Sequence, residues 1–461
     1  MNNFWFSRRT FMAGAISTAA LPKFGNAMPT NPDVVIIGAG AAGIGAARRL
    51  IGEGRSVLMI EAANRIGGRA YTESDTFGVP YDHGCAWLQG PKSLPHLDVI
   101  REKGFTKVNH NLADEAFFVD GRPATLDEKA AFERAQSEIY EDVWDKGDVP
   151  AADVIKNRPF MSAAKTWVTM GHAVDMESLS TADVNSYEEY EVNYLVKEGL
   201  GRIVWELGQG IPVKLNCAAK VIDWSGEGVK VETTDGTISA AACIVTVSTG
   251  VLASGAIKFV PSLPPLKQEA IDDVPMGLFT KVALQFDGER FGLTDNNWLS
   301  YAVPEEKTGQ GCYFITWPTG TDLAVGMLGG AYAWDVTSKG ADVAIDLALE
   351  TFVGLVGSDS RKHFVKGHMS DWHANPNVLG AYAAARPGRF ASRDVLKAPL
   401  GRRVFFAGEA VAVPLAALCS GAHLSGEAAA EAVHAVLSVD GSCGSCDARG
   451  SAKQLLQEAS E

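Results

Sequence analysis

The sequence contains no internal repeat and no apolar run of the ~18–20 residues that a membrane-spanning helix requires. Cysteine is scarce too: the seven residues are scattered and odd in number, so at least one thiol stays unpaired within a monomer. Only Cys443 and Cys446 lie close together, where their spacing suits a small disulfide, half of a metal site or an incidental pair. No second pair or histidine cluster accompanies them, so we assign no metal.

Positive charge is in the minority. The chain has 41 lysines and arginines against 55 acidic residues, which gives a net charge of -14. An acidic balance disfavours nucleic acid and anionic membrane surfaces as partners, and it tolerates cationic small molecules. With 461 residues, the chain is long enough for two domains, or for a cofactor domain into which a second domain is inserted.

A buried strand, a glycine-rich turn and a helix open the folded part of the chain. The stretch VVIIGAGAAGIGAARRL begins with four β-branched residues, and Gly38, Gly40 and Gly43 form the pattern G-x-G-x-x-G. A second buried strand, residues 54–62, ends in Glu61, which can accept hydrogen bonds from ribose hydroxyls. The glycines permit the tight turn, the approach of a pyrophosphate and close packing of helix on strand. This combination predicts a Rossmann-like α/β fold that binds a dinucleotide at a helix N-terminus.

Strand patterns return later in the chain, so the cofactor domain is predicted to be discontinuous. VKVETTDGTI alternates in polarity around an Asp-Gly turn and predicts a hairpin. Buried strands are predicted in ACIVTVSTGVL, GLFTKVALQF and GRRVFFAGEA, and a closing helix in ALCSGAHLSGEAAAEAVHAVL. We therefore predict a cofactor-binding domain of residues 33–95, 202–255 and 380–438, a mixed α+β substrate-binding domain of residues 96–201 and 256–379, and a flexible tail of residues 439–461.

Several motifs, in chain order, resemble those of the FAD-dependent amine oxidases, a family that includes monoamine oxidases, polyamine oxidases and flavin histone demethylases. The resemblance rests on GAGAAG…IEAANRIGGRAY, YDHGCAWLQGP, TDGTISAAACIVTVSTGVL, GLFTKVALQF, DWHANPNVLGAY and FFAGEA…SGAHLSGEAAAEAV. It covers most of residues 33–436 and is weak across residues 95–200. It implies that the cofactor is FAD and that the discontinuous domain binds it.

The resemblance also implies which residues bind FAD. They are Gly38, Gly40, Gly43, Glu61, Gly67, Gly68, Arg69, Ala86, Trp87, Val221, Gly408, Glu409 and Cys419. The Arg69 guanidinium can donate two hydrogen bonds to the pyrophosphate, which a lysine would do less well. Val221 corresponds to a valine whose backbone contacts adenine, and Glu409 to a carboxylate that accepts from ribityl hydroxyls. Ala381 stands where monoamine oxidases carry the cysteine that bonds to the flavin, so the FAD is expected to be non-covalent.

On the substrate side, the resemblance implies the catalytic candidates Lys281, Trp372, Tyr382 and Leu418. Lys281 corresponds to a lysine that holds a water against flavin N5, although a strand lysine taken alone is usually solvated. Trp372 and Tyr382 are the aromatic candidates, and Tyr382 matches one wall of the family's aromatic cage. Flat apolar walls orient an amine and favour its neutral form, whereas cation–π binding would favour the protonated form. Leu418 occupies the position of the second wall, which is normally aromatic in the family. A cage with only one aromatic wall argues against small arylalkylamines as substrates.

The predicted activity is FAD-dependent amine oxidation. In this family the amine α-carbon transfers a hydride to flavin N5, the imine is hydrolysed, and the reduced flavin is reoxidised by dioxygen, which yields hydrogen peroxide, or by another acceptor such as an electron-acceptor protein. A polyamine or other extended amine is the favoured substrate. The acidic stretch SYEEYE, residues 186–191, is either a site for distal ammonium groups or a solvated face. The chain is compatible with a homodimer.

Other functions remain open from the sequence. An amino-acid oxidase would need an arginine for the substrate carboxylate, for which Arg386 and Arg389 are the candidates. An amine dehydrogenase would use an acceptor other than oxygen. The opening βαβ unit also suits a nicotinamide dehydrogenase, and a non-catalytic flavin-binding subunit is a further alternative. The second Gly-Glu motif and the Arg-x-Gly-Gly-Arg segment favour the flavin enzyme.

The start of the chain has the pattern of an export signal. Arg8 and Arg9 precede a short apolar run, Phe11 to Leu21, and small residues follow at 25–27. SRRTFM resembles a twin-arginine signal, so residues 1–27 are predicted to be a signal peptide of a bacterial protein; the alternative is a basic N-terminal extension. Since contacts from both ends of the chain hold the FAD, the protein would fold around FAD before export to the periplasm.

Overall fold

The computed structural model describes residues 29–188 and 193–443 of the chain. The predicted signal peptide, most of the predicted tail, and Glu189 to Glu191 of the acidic stretch lie outside these residues. The strands are β1 (Val34–Ile37), β2 (Val57–Ile60), β3 (Thr72–Glu73), β4 (Tyr81–Asp82), β5 (Trp87–Leu88), β6 (Lys107–Asn109), β7 (Glu115–Val119), β8 (Arg122–Pro123), β9 (Tyr194–Val196), β10 (Val213–Lys214), β11 (Ala219–Asp223), β12 (Val229–Thr233), β13 (Gly236–Ala240), β14 (Ala242–Val245), β15 (Lys258–Val260), β16 (Phe279–Phe286), β17 (Asn297–Tyr301), β18 (Tyr313–Thr316), β19 (Leu323–Gly329), β20 (Phe364–Met369) and β21 (Val404–Phe406).

The α-helices alternate with these strands along the described chain. They are α1 (Ala41–Gly52), α2 (Pro95–Lys103), α3 (Leu126–Val143), α4 (Met161–His172), α5 (Thr181–Asn185), α6 (Leu200–Leu207), α7 (Thr249–Ala253), α8 (Pro265–Asp273), α9 (Gly330–Ser338), α10 (Ala341–Val356), α11 (Ser392–Lys397) and α12 (Cys419–Cys443). Local sequence explains α3, because Thr125 and Glu128 form a capping box at its N-terminus. No described helix is both long and apolar enough to cross a membrane.

A parallel five-stranded sheet lies at the centre of the cofactor-binding part. Its order is β10-β2-β1-β14-β21, so three separate chain segments build it. The side chains of β1 alternate between two cores: Val34 and Ile36 pack under helices, and Val35 and Ile37 pack under a second sheet. Burial of both faces explains the continuous apolar runs of these strands. The predicted Rossmann-like α/β fold is confirmed.

The second sheet, β13-β12-β11-β15, covers the other face of the parallel sheet. Its hairpin β12–β13 turns at the predicted Asp-Gly dipeptide, with Thr233 opposite Gly236. The strand β15 pairs with β11, although the sequence assigned residues 256–379 to the substrate-binding domain. The cofactor-binding part therefore extends beyond residue 255. The sequence did not predict this strand because three residues at a sheet edge are too few to carry a recognisable pattern.

A seven-stranded sheet, β20-β16-β19-β18-β17-β7-β8, forms the core of the substrate-binding part. Helices α9 and α10 pack against it through a core that includes Phe286, Phe314 and Phe352. Helix α4 crosses near β19. The predicted strand GLFTKVALQF is confirmed as β16, which pairs with both β19 and β20 and places Lys281 within the sheet.

Helices α1 and α12 pack closely on the helical face of the parallel sheet. A Cβ built on Gly45 would lie 2.3 Å from the carbonyl oxygen of His423, and one built on Gly426 would lie 1.9 Å from that of Ala42. Such distances leave no space for any side chain at either glycine. The predicted closing helix is confirmed and is longer than expected. Helix α12 runs to Cys443, so residues 439–443, which were predicted to belong to the flexible tail, are helical.

Candidate active site

The glycine-rich turn after β1 has the geometry that close approach of a dinucleotide requires. Gly38 has a φ of +108°, and a Cβ built on it would lie 2.5 Å from Oγ1 of Thr246. A Cβ on Gly43 would lie 2.0 Å from the carbonyl oxygen of Gly38. Helix α1 follows Gly40, which has no side chain to cap its first N–H groups. These N–H groups are therefore available to a phosphate.

Glu61 follows β2 and is held in place by backbone donors. Its carboxylate accepts hydrogen bonds from the N–H groups of Ala39 and Ala63, each at 2.8 Å. The carboxylate lines a cavity of about 260 Å³ together with Gly38 and residues 217–220. The position and shape of this cavity fit the nucleoside half of a dinucleotide.

Val221 does not line this cavity, although the preceding four residues do. An irregularity in the pairing of β11 with β12 falls between Ala219 and Val221. The bulge adds one residue to β11 opposite β12 just before Val221. The sequence motifs alone do not reveal this irregularity.

The Arg-x-Gly-Gly-Arg segment packs against the glycine-rich turn. The N–H of Gly67 donates to the carbonyl of Ala39 at 2.8 Å, and Gly67 has a φ of +100°. A Cβ on Gly68 would lie 3.3 Å from Cα of Gly40. This close contact of two backbones brings Arg69 to the end of the turn.

Arg69 connects the nucleoside half of the site to the second half. Its Nη1 donates to the carboxylate of Glu409 at 2.9 Å and to the carbonyl of Ala381 at 2.6 Å. Arg69 lines both the nucleoside cavity and a larger cavity of about 400 Å³. The two cavities thus form an elongated space on either side of one guanidinium, which fits FAD with its pyrophosphate near Arg69.

The large cavity contains most of the predicted flavin and substrate residues. Its lining includes Gly67, Arg69, Ala86, Trp87, Trp372, Tyr382, Leu418, Glu409 and Cys419. Trp372 is buried, and its Nε1 donates to the carbonyl of His83 at 2.9 Å. The Tyr382 hydroxyl donates to the carbonyls of Met170 at 2.8 Å and Gly171 at 3.0 Å. Each aromatic ring is therefore fixed by a hydrogen bond at its polar end.

The Tyr382 hydroxyl stays protonated. Burial raises its pKa, and the neighbouring Tyr187 and Glu409 act in the same direction. The ring is therefore a neutral wall of the cavity. Leu418 lies in the same lining, so the structure brings the predicted cage residues together.

Lys281 lies in a smaller neighbouring cavity of about 60 Å³ rather than in the large one. Ala86 and Trp87 line both cavities and separate them. The Lys281 Nζ donates to the carbonyl of Asp82 at 3.0 Å and lies 5.6 Å from the centre of the Trp87 ring. Burial lowers the pKa of Lys281, an effect that the charge of Asp82 opposes. Lys281 is thus not the solvated strand lysine that its local sequence favours.

The orientation of Trp87 is fixed by His110. The indole N–H of Trp87 donates to Nδ1 of His110 at 3.1 Å, and Nε2 of His110 lies 2.9 Å from the carbonyl of Asn296. Because an indole N–H only donates and a carbonyl only accepts, the His110 proton is on Nε2. Burial lowers the pKa of His110 and keeps the ring neutral.

The Gly-Glu motif, Gly408 and Glu409, forms another side of the site. Gly408 has a φ of +143°, and its N–H donates to Oγ of Ser425 at 3.1 Å. Glu409 is 5% exposed, and its carboxylate also accepts from the N–H of Ala383. Helix α12 begins at Cys419, which lines the cavity. A hydrogen bond with Cys85 and burial raise the pKa of the Cys419 thiol, so it remains protonated.

Sequence reasoning missed several residues that line the large cavity. They are Trp167, Met170, Asn193, Phe279, Trp298 and Met327. Trp167 and Asn193 fall in residues 95–200, where the family motifs are weak, and no local pattern distinguishes a cavity tryptophan from a core tryptophan. The described residues contain no group of histidine, cysteine and carboxylate side chains that could hold a metal ion.

Comparisons with known proteins agree with this geometry. The family model for flavin containing amine oxidoreductases matches residues 145–434, and that for an NAD(P)-binding Rossmann-like domain matches residues 36–102. Polyamine oxidase 4 of Oryza sativa subsp. japonica is 30% identical over 450 residues, which cover 89% of this chain and 90% of that protein. Lysine-specific histone demethylase 2 of Homo sapiens is 26% identical over 86% of this chain and 52% of its own.

A solved structure of a putrescine oxidase double mutant has the same fold. Its TM-score is 0.74 at 19% identity, over 88% of this chain and all of the other. The predicted family and the predicted cofactor are confirmed, which favours the flavin enzyme over a nicotinamide dehydrogenase and over a non-catalytic subunit. The chain belongs to the flavin containing amine oxidoreductases and is an FAD-dependent enzyme.

Proposed function

We propose that the enzyme oxidises a diamine or polyamine at a carbon bonded to nitrogen. The observation that carries this proposal is the large cavity of about 400 Å³, in which the residues fitted for the flavin meet a largely apolar wall. Trp372, Tyr382 and Leu418 line this cavity, and Trp167 and Trp298 line it too. A cavity of this size and lining suits an extended amine. The polyamine and putrescine oxidases among the similar proteins support the same substrate class.

The charges in the site argue against an α-amino acid as substrate. Among the described residues, Arg69 is the only cation in the lining of the large cavity, and it is paired with Glu409. Arg386 and Arg389, the candidates from the sequence, do not line the cavity, and Arg389 pairs with Glu269 at 3.0 Å. A substrate carboxylate would therefore be buried without a partner, which is costly.

The residues of the chain act on both the cofactor and the amine. Gly38, Gly40 and Arg69 would hold the pyrophosphate, and Trp87 and Glu409 the flavin end. FAD, when bound, supplies the acceptor for the two electrons of the oxidation. The apolar lining excludes water and favours the neutral amine, whose lone pair assists the loss of the α-hydrogen. The resulting imine is hydrolysed to an aldehyde and an amine.

The electron acceptor is proposed to be dioxygen, which yields hydrogen peroxide; an electron-acceptor protein is the alternative. Lys281 is a buried cation next to the flavin side of the cavity and is suited to stabilise the negative charge that develops on reacting oxygen. The proposed assembly is a homodimer, which a sedimentation measurement would test.

A panel of amines tests the proposal directly. Purified holoenzyme is mixed anaerobically with putrescine, spermidine, tyramine or an L-amino acid, and the loss of flavin absorbance is followed. We expect putrescine or spermidine to reduce the flavin fastest and air to restore it with release of peroxide. Reduction by an amino acid alone would refute the proposal, and reoxidation by a dye but not by air would identify a dehydrogenase.

We also propose that the protein is a bacterial enzyme exported in folded form to the periplasm. The support is the Arg8-Arg9 pair with its short apolar run, together with a predicted FAD site whose lining includes residues from near both ends of the chain, such as Gly38 and Glu409. A variant with Arg8→Lys and Arg9→Lys is expected to stay in the cytoplasm with FAD bound. Recovery of this variant from the periplasm with FAD would contradict the twin-arginine route.

A further inference from the structure

One part of the wall of the large cavity is built from tryptophans. Trp167 meets Trp298 edge to face, with ring centres 4.7 Å apart and an interplanar angle of 86°. Trp298 in turn stacks on Trp87 with ring centres 5.8 Å apart. All three line the cavity. The faces of indole rings attract cations because the ring quadrupole is negative on its face.

A carboxylate lies directly behind this aromatic wall. The Nε1 of Trp167 donates to Oε1 of Glu115 at 3.3 Å, and the Ser300 hydroxyl donates to the same oxygen at 2.5 Å. Glu115 begins β7 and is the register partner of Trp298 in the neighbouring strand β17. An acceptor anion on the indole N–H makes the ring more electron-rich and strengthens its attraction for a cation.

The Glu115 carboxylate has no ion-pair partner within 4.0 Å in the described part of the chain. Within the described residues, no lysine or arginine forms an ion pair with it, and the nearby Lys129 is paired with Asp114 at 2.7 Å. Burial raises the pKa of Glu115, whereas the hydrogen bonds from Ser300 and Trp167 and, to a smaller extent, the charge of Lys129 oppose this shift. A cation in the cavity would favour the ionised carboxylate and would compensate its charge.

We infer that Trp167, Trp298 and Glu115 form a subsite for the distal ammonium group of a diamine, which is bound through the indole faces and not through a direct ion pair. This inference rests on the proposed function and specifies it: the subsite makes the enzyme prefer a diamine over the monoamine of the same length. Among the described residues of the cavity lining, Arg69 and Glu409 carry opposite charges and pair with each other at 2.9 Å, so neither is available to the distal ammonium group.

Kinetics with a matched substrate pair test this inference. In the wild-type holoenzyme, putrescine is expected to have a KM at least about tenfold below that of butylamine. The free energy of a desolvated cation–π contact corresponds to a factor of about this size in affinity. Glu115→Gln and Trp167→Leu should raise the KM of putrescine about tenfold and raise that of butylamine less, so that most of the preference for putrescine is lost. Asp120→Asn, which alters an exposed carboxylate in the turn directly after β7, is the control and should change neither KM.

Methylated probes separate the proposed contact from an ion pair. Putrescine with a trimethylated distal nitrogen has no N–H to donate, yet a cation–π subsite should still accept it with a KM close to that of putrescine. A loss of more than tenfold with this substrate would overturn the inference. Equal changes of KM for putrescine and butylamine in Glu115→Gln would also overturn it.

A binding measurement keeps this test independent of turnover. The bis-trimethylammonium derivative of butane has no nitrogen lone pair and should not be oxidised, so its affinity can be measured by calorimetry and compared with that of butyltrimethylammonium. We expect tighter binding of the doubly charged probe in the wild type and loss of the difference in Trp167→Leu. If no amine reduces the flavin but this difference is present, the proposed function fails and the subsite remains; equal affinities overturn the subsite.

Discussion

The Nζ of Lys281 lies 3.0 Å from the backbone carbonyl oxygen of Asp82, a contact between β16 of the substrate-binding sheet and the hairpin strand β4. The carboxylate of Asp82 faces other donors: it accepts from the N–H groups of Leu200 at 3.0 Å and Gly201 at 3.2 Å at the start of α6. Asp82 thus positions Lys281 through its backbone carbonyl and caps the N-terminus of α6 through its side chain. Burial raises the pKa of Asp82, and the charge of Lys281 opposes this.

Replacement of Lys281 tests its role at the flavin. Lys281→Met keeps the length of the side chain but removes its charge and its proton. We expect reoxidation of the reduced flavin by dioxygen to slow by about 10²-fold, the lower range for a positioned proton donor. Stopped-flow absorbance in aerated buffer measures this rate. Lys366→Met, at an exposed position on the neighbouring strand β20, is the control, and equal rates in the two variants would remove Lys281 from the mechanism.

Replacement of Asp82 separates its two contributions. Asp82→Asn keeps the backbone carbonyl that contacts Lys281 but removes the charge that raises the pKa of Lys281. The pKa that the reoxidation rate reports for this lysine should therefore move to lower pH. Partial loss of the cap of α6 should also cost about 1 kcal/mol of unfolding free energy. An unchanged pH profile would show that the Asp82 carboxylate acts only on folding.

The contact between α1 and α12 predicts opposite effects for two glycines of one helix. Gly45→Ala places a Cβ against the carbonyl of His423 and should destabilise the protein by about 3 kcal/mol or more, at the upper end for overpacking. Gly52→Ala, with nothing within 4 Å, should instead stabilise α1 by about 0.5–1 kcal/mol. Denaturant unfolding of the FAD-loaded protein measures both. Similar values for the two variants would contradict the close packing.

Arg69 predicts how tightly FAD is held. Arg69→Lys keeps the positive charge but cannot donate to the pyrophosphate, Glu409 and Ala381 at the same time. We expect the dissociation constant of FAD to rise about tenfold, which corresponds to ~1.4 kcal/mol. Fluorescence titration of the deflavinated protein gives this constant. Arg55→Lys, on the surface between α1 and α12, should leave it unchanged, and a normal affinity in Arg69→Lys would refute the assignment.

His96 predicts part of the acid sensitivity of the fold. Burial lowers the pKa of His96 to about 3, and the neighbouring His423 and Arg48 act in the same direction. The native ring binds a proton less readily than the unfolded one, so the stability linked to His96 is complete above pH 6.5 and is lost as the pH falls towards 3. His96→Phe should flatten the decline of melting temperature across this window.

The control for His96 is a histidine in a different setting. His363→Phe removes a half-buried ring that lies 3.0 Å from the carboxylate of Asp287. In this variant the decline of melting temperature with falling pH should be as steep as in the wild type or steeper. A decline as steep in His96→Phe as in the wild type would show that other groups dominate the acid response.

Local sequence was sufficient for the parts of the site that depend on the backbone. The G-x-G-x-x-G turn, Glu61 after the second strand and the Arg-x-Gly-Gly-Arg segment all lie where the motifs predict. Each requires a particular φ or a missing Cβ at a fixed spacing, and such requirements are visible in a linear pattern. The same holds for the Asp-Gly hairpin and for the capping box of α3.

The rest depended on contacts between residues far apart in sequence. Three features have no local signature in the sequence. They are the bulge beside Val221, the position of Lys281 behind Trp87, and the contacts of Trp167 with Trp298 and Glu115. The sequence by itself determined the Rossmann-like opening, the cofactor and the family, because short-range steric and hydrogen-bonding rules encode them. Only the tertiary structure decided which side chains border the substrate, because that depends on how the two domains pack.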